Sequence, residues 1–196
     1  MKNIVFDLGG VLFARNMKEC TREFIDFFAF VRGPQMPLYW EEYDRGTWSL
    51  DKVIDEMCKV KGCSKEVCTE YIRQAIDMQR PVKPTEKLIG DLKKEGYKLY
   101  VLSNMSREFI DFLRKFPVYE LFDGEVVSCE ELTVKPEPRI YEILLQRYGL
   151  DPQDTLFIDD RERNIEVAQS LKINGYVFDA HNPEAACEYL RKMLIK

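Results

Sequence analysis

One histidine, two tryptophans and no paired C-x-x-C among six cysteines: the 196-residue chain is short of the residues that announce many common sites. His181 stands in the loop-like run AHNP with no serine or cysteine nucleophile beside it, so a Ser–His or Cys–His reading has no support and a surface loop is expected. Cys20, Cys58, Cys63, Cys68, Cys129 and Cys187 lack metal-ligand or redox-motif spacing, which favours reduced thiols in or near cores. The net charge of −5 is spread without a basic block, which argues against a nucleic-acid or anionic-membrane surface. No apolar run reaches the length of a membrane span. Strand-like residues begin at Asn3 and a glycine pair interrupts them, so no signal peptide is read and a cytoplasmic location is expected. Nothing in the sequence speaks to the oligomeric state.

What is present is ordinary in amount, with 45% hydrophobic and 32% charged residues, enough for a core domain carrying a smaller inserted one. Ile4, Val5 and Phe6 read as a buried parallel strand that ends on a carboxylate, Asp7. From about Met17 to Ile76 the pattern is helical. Phe24, Phe27, Phe28 and Val31 share a face, as do Val53, Ile54, Met57 and Cys58, and then Val67, Tyr71, Ile72 and Ala75. Ser49 and Ser64 sit where N-caps belong. After Pro81 helices alternate with short apolar strands near 98–102, 125–127, 155–158 and 176–178, the pattern of a parallel sheet covered on both faces. The expected architecture is α/β, a Rossmann-like doubly wound parallel sheet formed by residues 1–14 and 81–196, with an all-helical cap over 15–80.

Ligands of open α/β sheets gather at the carboxyl ends of the strands. There the chain places Asp7, then Ser103 and Asn104, then Lys135 in the loop after the third strand, then Asp159 and Asp160. The set suits phosphoryl transfer: a carboxylate nucleophile, two acids able to help hold magnesium, a lysine to balance charge, and a hydroxyl with the bare backbone of Gly9 and Gly10 to bind phosphate oxygens. Singly, each has a structural explanation, Asp7 as a turn cap, Ser103 as a helix cap and Lys135 as a solvated lysine. Their order at four strand ends favours the site.

The segments DLGGVL, LSN, VKPEPRIYEILLQ and FIDDRERNIEVA resemble the four ordered motifs of the haloacid dehalogenase-like hydrolase superfamily, over essentially the whole chain. The stretch YDRGTWS and the form KPEPRIYE resemble its α-D-glucose-1-phosphatase-like branch of sugar-phosphate phosphatases. The resemblance implies that Asp7 is the nucleophile and that Ser103, Asn104 and the amides near Gly9 and Gly10 bind phosphate. It gives Lys135 the charge-balancing role and makes Asp160 a Mg2+ ligand, together with Asp7, the Gly9 carbonyl and Asp159. Asn104 and Asn164 are implied as supporting polar residues, and Tyr43, Asp44, Arg45 and Trp48 lie in a cap motif. For Arg45 and Trp48, hinge packing is the preferred expectation.

Most members of that superfamily carry a second aspartate two residues after the nucleophile, as the acid and base for the leaving oxygen and for water. Here that position is Gly9, and the nearby positions where the branch often places acids are Ala14, Arg15 and Asn16. An uncompensated loss of this kind costs about 10²- to 10⁴-fold in rate. An anomeric leaving group, which needs less protonation, lessens it. The expectation is a magnesium-dependent phosphatase of small phosphorylated metabolites working through an aspartyl phosphate. A metal-free dehalogenase-type hydrolase and a phosphometabolite-binding protein with little turnover stand as alternatives.

Overall fold

The computed structural model describes residues 1–33 and 35–195, apart from the side chain of Arg32. In chain order its elements are β1 (Asn3–Phe6), β2 (Phe13–Arg15), α1 (Arg22–Phe27), α2 (Leu38–Arg45), α3 (Leu50–Lys61), α4 (Lys65–Asp77) and β3 (Gln79–Pro81). There follow α5 (Lys83–Lys94), β4 (Lys98–Ser103), α6 (Arg107–Leu113), β5 (Gly124–Val127), the single turn α7 (Ser128–Glu131) and α8 (Pro138–Tyr148). Then come β6 (Thr155–Asp159), α9 (Glu162–Ser170), β7 (Asn174–Val177) and α10 (Pro183–Leu194).

Five of these strands form one parallel sheet in the order β5-β4-β1-β6-β7, with β1 between β4 and β6. The central strands are apolar along their length because both faces are covered. Ile4, Phe6, Leu99, Val101, Leu156 and Ile158 point into one core, which Leu88, Leu92 and Leu190 of α5 and α10 complete. Val5, Tyr100, Leu102 and Phe157 point into the other, against Ile140, Leu144 and Ile165 of α8 and α9. This is the Rossmann-like α/β arrangement, and its strand order reverses at β1, so the strand that ends on Asp7 lies at the switch point where such sheets bind ligands.

β2 and β3 pair antiparallel, Phe13 with Pro81 and Arg15 with Gln79. This stem has no counterpart in the sequence expectation, and the boundaries expected after residue 14 and before residue 81 fall inside its two strands. Between the strands the described residues form helices and loops only. Their core is largely aromatic, with Phe24, Phe27, Phe28, Trp40 and Tyr43 packed on Val53, Met57, Cys68 and Ile72. Ser49 and Ser64 cap α3 and α4 through their hydroxyls, accepting from Lys52 N and Val67 N. α1 stops earlier than the apolar face through Val31 suggests: the chain tightens there into one turn of 3₁₀ helix over Ala29–Arg32. No helix among the described residues is long and apolar enough to cross a membrane.

Candidate active site

Because β1, β4 and β6 are adjacent and parallel, their carboxyl ends bring Asp7, Ser103 and Asp159 side by side. Asp7 sits in the turn that follows β1. Its Oδ1 accepts from Leu8 N at 2.7 Å and from the Ser103 hydroxyl at 2.7 Å, and it meets Lys135 Nζ at 2.9 Å. All three contacts fall on Oδ1, and among the described residues no hydrogen bond reaches Oδ2. Ser103 is therefore neither solvated nor a helix cap; the N-cap position of α6 belongs to Ser106.

Lys135 is buried, unlike every other described lysine, its side chain 1% exposed. Nζ donates to Asp159 Oδ2 at 2.6 Å and to the Leu102 carbonyl at 2.9 Å, in addition to Asp7. The Asn104 side chain holds the Lys135 main chain from both sides, donating to its carbonyl at 2.8 Å and accepting from its N–H at 2.7 Å. Asn104, expected among the phosphate ligands, is instead a brace for the lysine loop, because both ends of its amide are already engaged. Asp159 is fully buried, and its Oδ1 accepts from Arg161 N, while Asn164 Nδ2 bridges both carboxylate oxygens at 3.0 Å.

One ammonium thus faces more than one carboxylate. Burial, helped by the charge of Asp159, pushes Asp7 above the usual carboxylate range against the pull of Lys135. Burial works to lower Lys135, yet Asp159 and Asp7 outweigh it and hold the lysine above its ordinary value, firmly charged. Asp160 is pushed up to about 7 by burial and by Asp7 and Asp159, with only partial relief from Lys135 and Arg161. Ligand oxygens of Asp7, Asp159 and Asp160 all lie within 4.8 Å of one another. Three hard oxygen donors crowded with surplus negative charge fit a divalent cation such as magnesium.

Glycine makes room for this cluster. Gly10 adopts φ +77°, and a Cβ there would lie 2.5 Å from Asp160 Oδ2, so any other residue would displace that carboxylate. A Cβ at Gly9 would meet nothing within 4 Å, so the place where a second acid would stand is open space.

The helical lobe approaches the same rim. The Ser128 hydroxyl donates to the Asp44 carbonyl, and Tyr43 donates to Glu108 Oε2 at 2.6 Å. Arg45 pairs with Glu137 at 2.7 Å, and Arg161 donates to the Val31 carbonyl at 2.9 Å. Arg45 is thereby a strut between lobe and sheet, and Trp48 packs on the lobe core with Lys52 Nζ 3.6 Å above its ring, as the structural expectation for this pair has it. His181 is exposed in its loop. Asp44, which the sequence placed in the cap motif without a role, is the residue whose surroundings only the structure shows. It lies one residue before the end of α2, and the C-cap Gly46, with a left-handed φ of +82°, lets the backbone lie against Cys129. Burial pushes its carboxyl up to about 7; Arg161 and the Ser106 backbone pull the other way, while Asp7 and Glu41 add to the rise. The carboxyl at the end of α2 therefore lies within the field of Asp7, and position 44 inside YDRGTWS was the available signal.

A family model described as haloacid dehalogenase-like hydrolase matches residues 1–172. A sesquiterpene phosphatase of Aspergillus oryzae is 26% identical over 98% of this chain and 96% of its own length. The D-ribitol-5-phosphate phosphatase of Bacteroides thetaiotaomicron is 23% identical over 100% of this chain and 98% of its own. A crystal structure of a HAD family enzyme from Bacteroides thetaiotaomicron, in complex with magnesium and inorganic phosphate, aligns with a TM-score of 0.72 and 28% identity, covering 92% of this chain and 95% of that one.

Proposed function

This chain belongs to the haloacid dehalogenase-like hydrolases, and we propose that within that family it is a magnesium-dependent phosphatase of small phosphorylated metabolites, sugar phosphates foremost. The observation that carries the reading is the Asp7 carboxylate held by Ser103 and Lys135 beside Asp159 and Asp160. The relatives named as phosphatases support it, as does the neighbour crystallised with magnesium and phosphate.

Asp7, Asp160 and the Gly9 carbonyl would hold the magnesium ion, with Asp159 behind them fixed by Lys135 and Asn164. When bound, the ion neutralises phosphate and carboxylate charge, so that an anionic nucleophile can approach an anionic ester. The protein's own part begins with Asp7. Three donors fix Oδ1, leaving Oδ2 to attack phosphorus and form the aspartyl phosphate as the ester oxygen departs. At rest the Ser103 hydroxyl and Leu8 N donate to Asp7 and Gly10 N donates to the Phe13 carbonyl, so Ser103 would turn its one proton from Asp7 to a phosphoryl oxygen, the Gly9 amide would take another, and Lys135 offsets the charge that accumulates. Water then attacks the same phosphorus, releases inorganic phosphate and returns Asp7 to its carboxylate.

The departing oxygen needs a proton, and Gly9 has none to give. The half-buried Asp44 carboxyl at the end of α2 serves in its place, with the helical segment acting as the cap that brings it over the substrate. The experiment is phosphate release from a panel of sugar phosphates, a sesquiterpenyl phosphate and p-nitrophenyl phosphate, with magnesium or with EDTA. Magnesium-stimulated release that Asp7→Asn abolishes is expected. Asp44→Asn should lower kcat for the alkyl esters far more than for the nitrophenyl ester, whose leaving group needs no proton. Release insensitive to Asp7→Asn overturns the reading. Tight phosphate-ester binding without turnover, or chloride release from 2-haloacids without metal, would put one of the two alternatives in its place.

A further inference from the structure

Away from the acidic site, three cysteines meet in the helical lobe. Cys58 lies in the last turn of α3; Gly62, in the left-handed region, closes that helix, and Cys63 follows directly. Ser64 caps α4, so Cys63 and Cys68 occupy the positions just before the cap and in the second turn whose side chains meet over a helix start. The Cys68 sulfur lies 3.2 Å from that of Cys63 and 3.4 Å from that of Cys58. Cys68 is fully buried, whereas Cys58 and Cys63 are half-buried and reachable from solvent. A hydrophobic staple needs one contact of this kind, and a third thiol against Cys68 is more than packing asks.

We infer that this trio is an oxidant-responsive thiol site in which a hydroperoxide oxidises Cys58 or Cys63 and Cys68 captures the product as a disulfide. The thiolate of Cys58 or Cys63 attacks the peroxide oxygen, the O–O bond breaks, the alcohol or water departs with a proton, and a sulfenic acid remains. The Cys68 sulfur then attacks that sulfur, its own proton and the hydroxyl leave as water, and the S–S bond forms. In sum, two thiols and one hydroperoxide give one disulfide, one alcohol and one water, or two waters from hydrogen peroxide. The third cysteine can attack the Cys68 side of the bond and exchange, since its sulfur already lies against Cys68. Burial, reinforced by the two neighbouring thiols, pushes the Cys68 thiol up, which disfavours it for the first encounter with oxidant; its part in the second step rests on its sulfur already lying against both partners.

A soft-metal seat fits the geometry less well. Among the described residues the trio of ligand side chains whose donor atoms all lie within 4.8 Å of one another is Asp7, Asp159 and Asp160; the three sulfurs do not close in this way, since those of Cys58 and Cys63 each touch Cys68 but lie farther than that from each other.

The three cysteines fall on separate tryptic peptides, 53–59, 62–65 and 66–73, which makes the test direct. The full chain is treated with hydrogen peroxide, quenched, alkylated under denaturing conditions and digested. The expected result is loss of two of its six alkylatable thiols, a cross-link from peptide 66–73 to peptide 53–59 or 62–65, and full reversal by dithiothreitol. Cys58→Ser should leave only the link to 62–65, and Cys63→Ser only that to 53–59; both alter half-buried positions and leave buried Cys68 in place. Oxidation of any of the three to sulfinic or sulfonic acid without a cross-link overturns the inference. So does a link between Cys58 and Cys63 that omits Cys68, or survival of all six thiols at doses that oxidise free cysteine.

Discussion

Replacing Lys135 by methionine keeps the volume of the side chain and deletes its charge, so its cost measures the electrostatics of the site. Nζ serves Asp7, Asp159 and the Leu102 carbonyl, and the two carboxylates are 11% and 0% exposed, so water screens little of what is lost. Removing one partner of a buried ion pair costs about 3–5 kcal/mol. Asp7 keeps Leu8 N and Ser103, and Asp159 keeps Arg161 N and Asn164, which places the expected loss near the lower limit, about 3 kcal/mol. With an m value of about 2 kcal/mol per molar urea, the unfolding midpoint should fall by about 1.5 M with m unchanged. The loss should be larger at about pH 8 than at about pH 5, because Asp7, already held above the usual carboxylate range by burial, can neutralise itself by taking up a proton. A cycle with Asp159→Asn should show coupling of about 1–3 kcal/mol. A single variant within about 1 kcal/mol of wild type, or strictly additive effects, refutes the reasoning.

Gly9→Asp should be accepted structurally, since its Cβ meets open space, and in the Asp44→Asn background should restore hydrolysis of alkyl phosphates by about tenfold or more while changing nitrophenyl phosphate little. Equal effects on the two esters would show that proton delivery is not what position 9 lacks. Gly10→Ala puts a methyl against Asp160 Oδ2 and strains a left-handed residue by about 1 kcal/mol; magnesium affinity by calorimetry should drop about tenfold or more, and an affinity within twofold of wild type counts against Asp160 as a ligand. Asp44 and Asp160, ordinarily at 3.8, are both pushed up to about 7, so the folded protein stripped of divalent metal holds protons that the unfolded chain releases. That contribution is complete below 3.8 and is lost as the pH climbs through about 7, by at most about 1.4 kcal/mol per pH unit for each proton. Urea melts in EDTA should show the decline, Asp160→Asn should flatten it, and magnesium at about pH 8 should offset it; stability that rises with pH over this range would contradict the electrostatic picture.

The sheet was legible because its strands leave an unambiguous record: apolar runs ending abruptly in Asp7, Ser103 and Asp159, separated by amphipathic helices with serine caps at Ser49 and Ser64. The strand ends converge by topology alone, so naming their residues required no side-chain geometry. What stayed hidden depends on contacts remote in sequence. The burial of Lys135 contradicts the habit of lysines, and the brace from Asn104 crosses 31 positions. Each strand of the β2–β3 stem is three residues long, too short for any periodicity to register. Asp44 acquires its meaning only when α2 docks on α7, through the Ser128 hydroxyl and the close approach of Gly46 to Cys129. The cysteines 58, 63 and 68 follow no motif, and it is the turn at Gly62 that gathers their sulfurs.

The most direct test of the catalytic account is to trap the covalent intermediate. The enzyme is mixed with the best phosphate ester of the panel and magnesium, quenched in acid within the first turnovers and digested, and the tryptic peptide 3–15, which contains Asp7, is examined by mass spectrometry. A hydroxylamine-labile phosphate on Asp7, absent from Asp7→Asn, is predicted. Steady turnover with Asp7 never labelled, or the label on Ser103 or any other side chain, would contradict it.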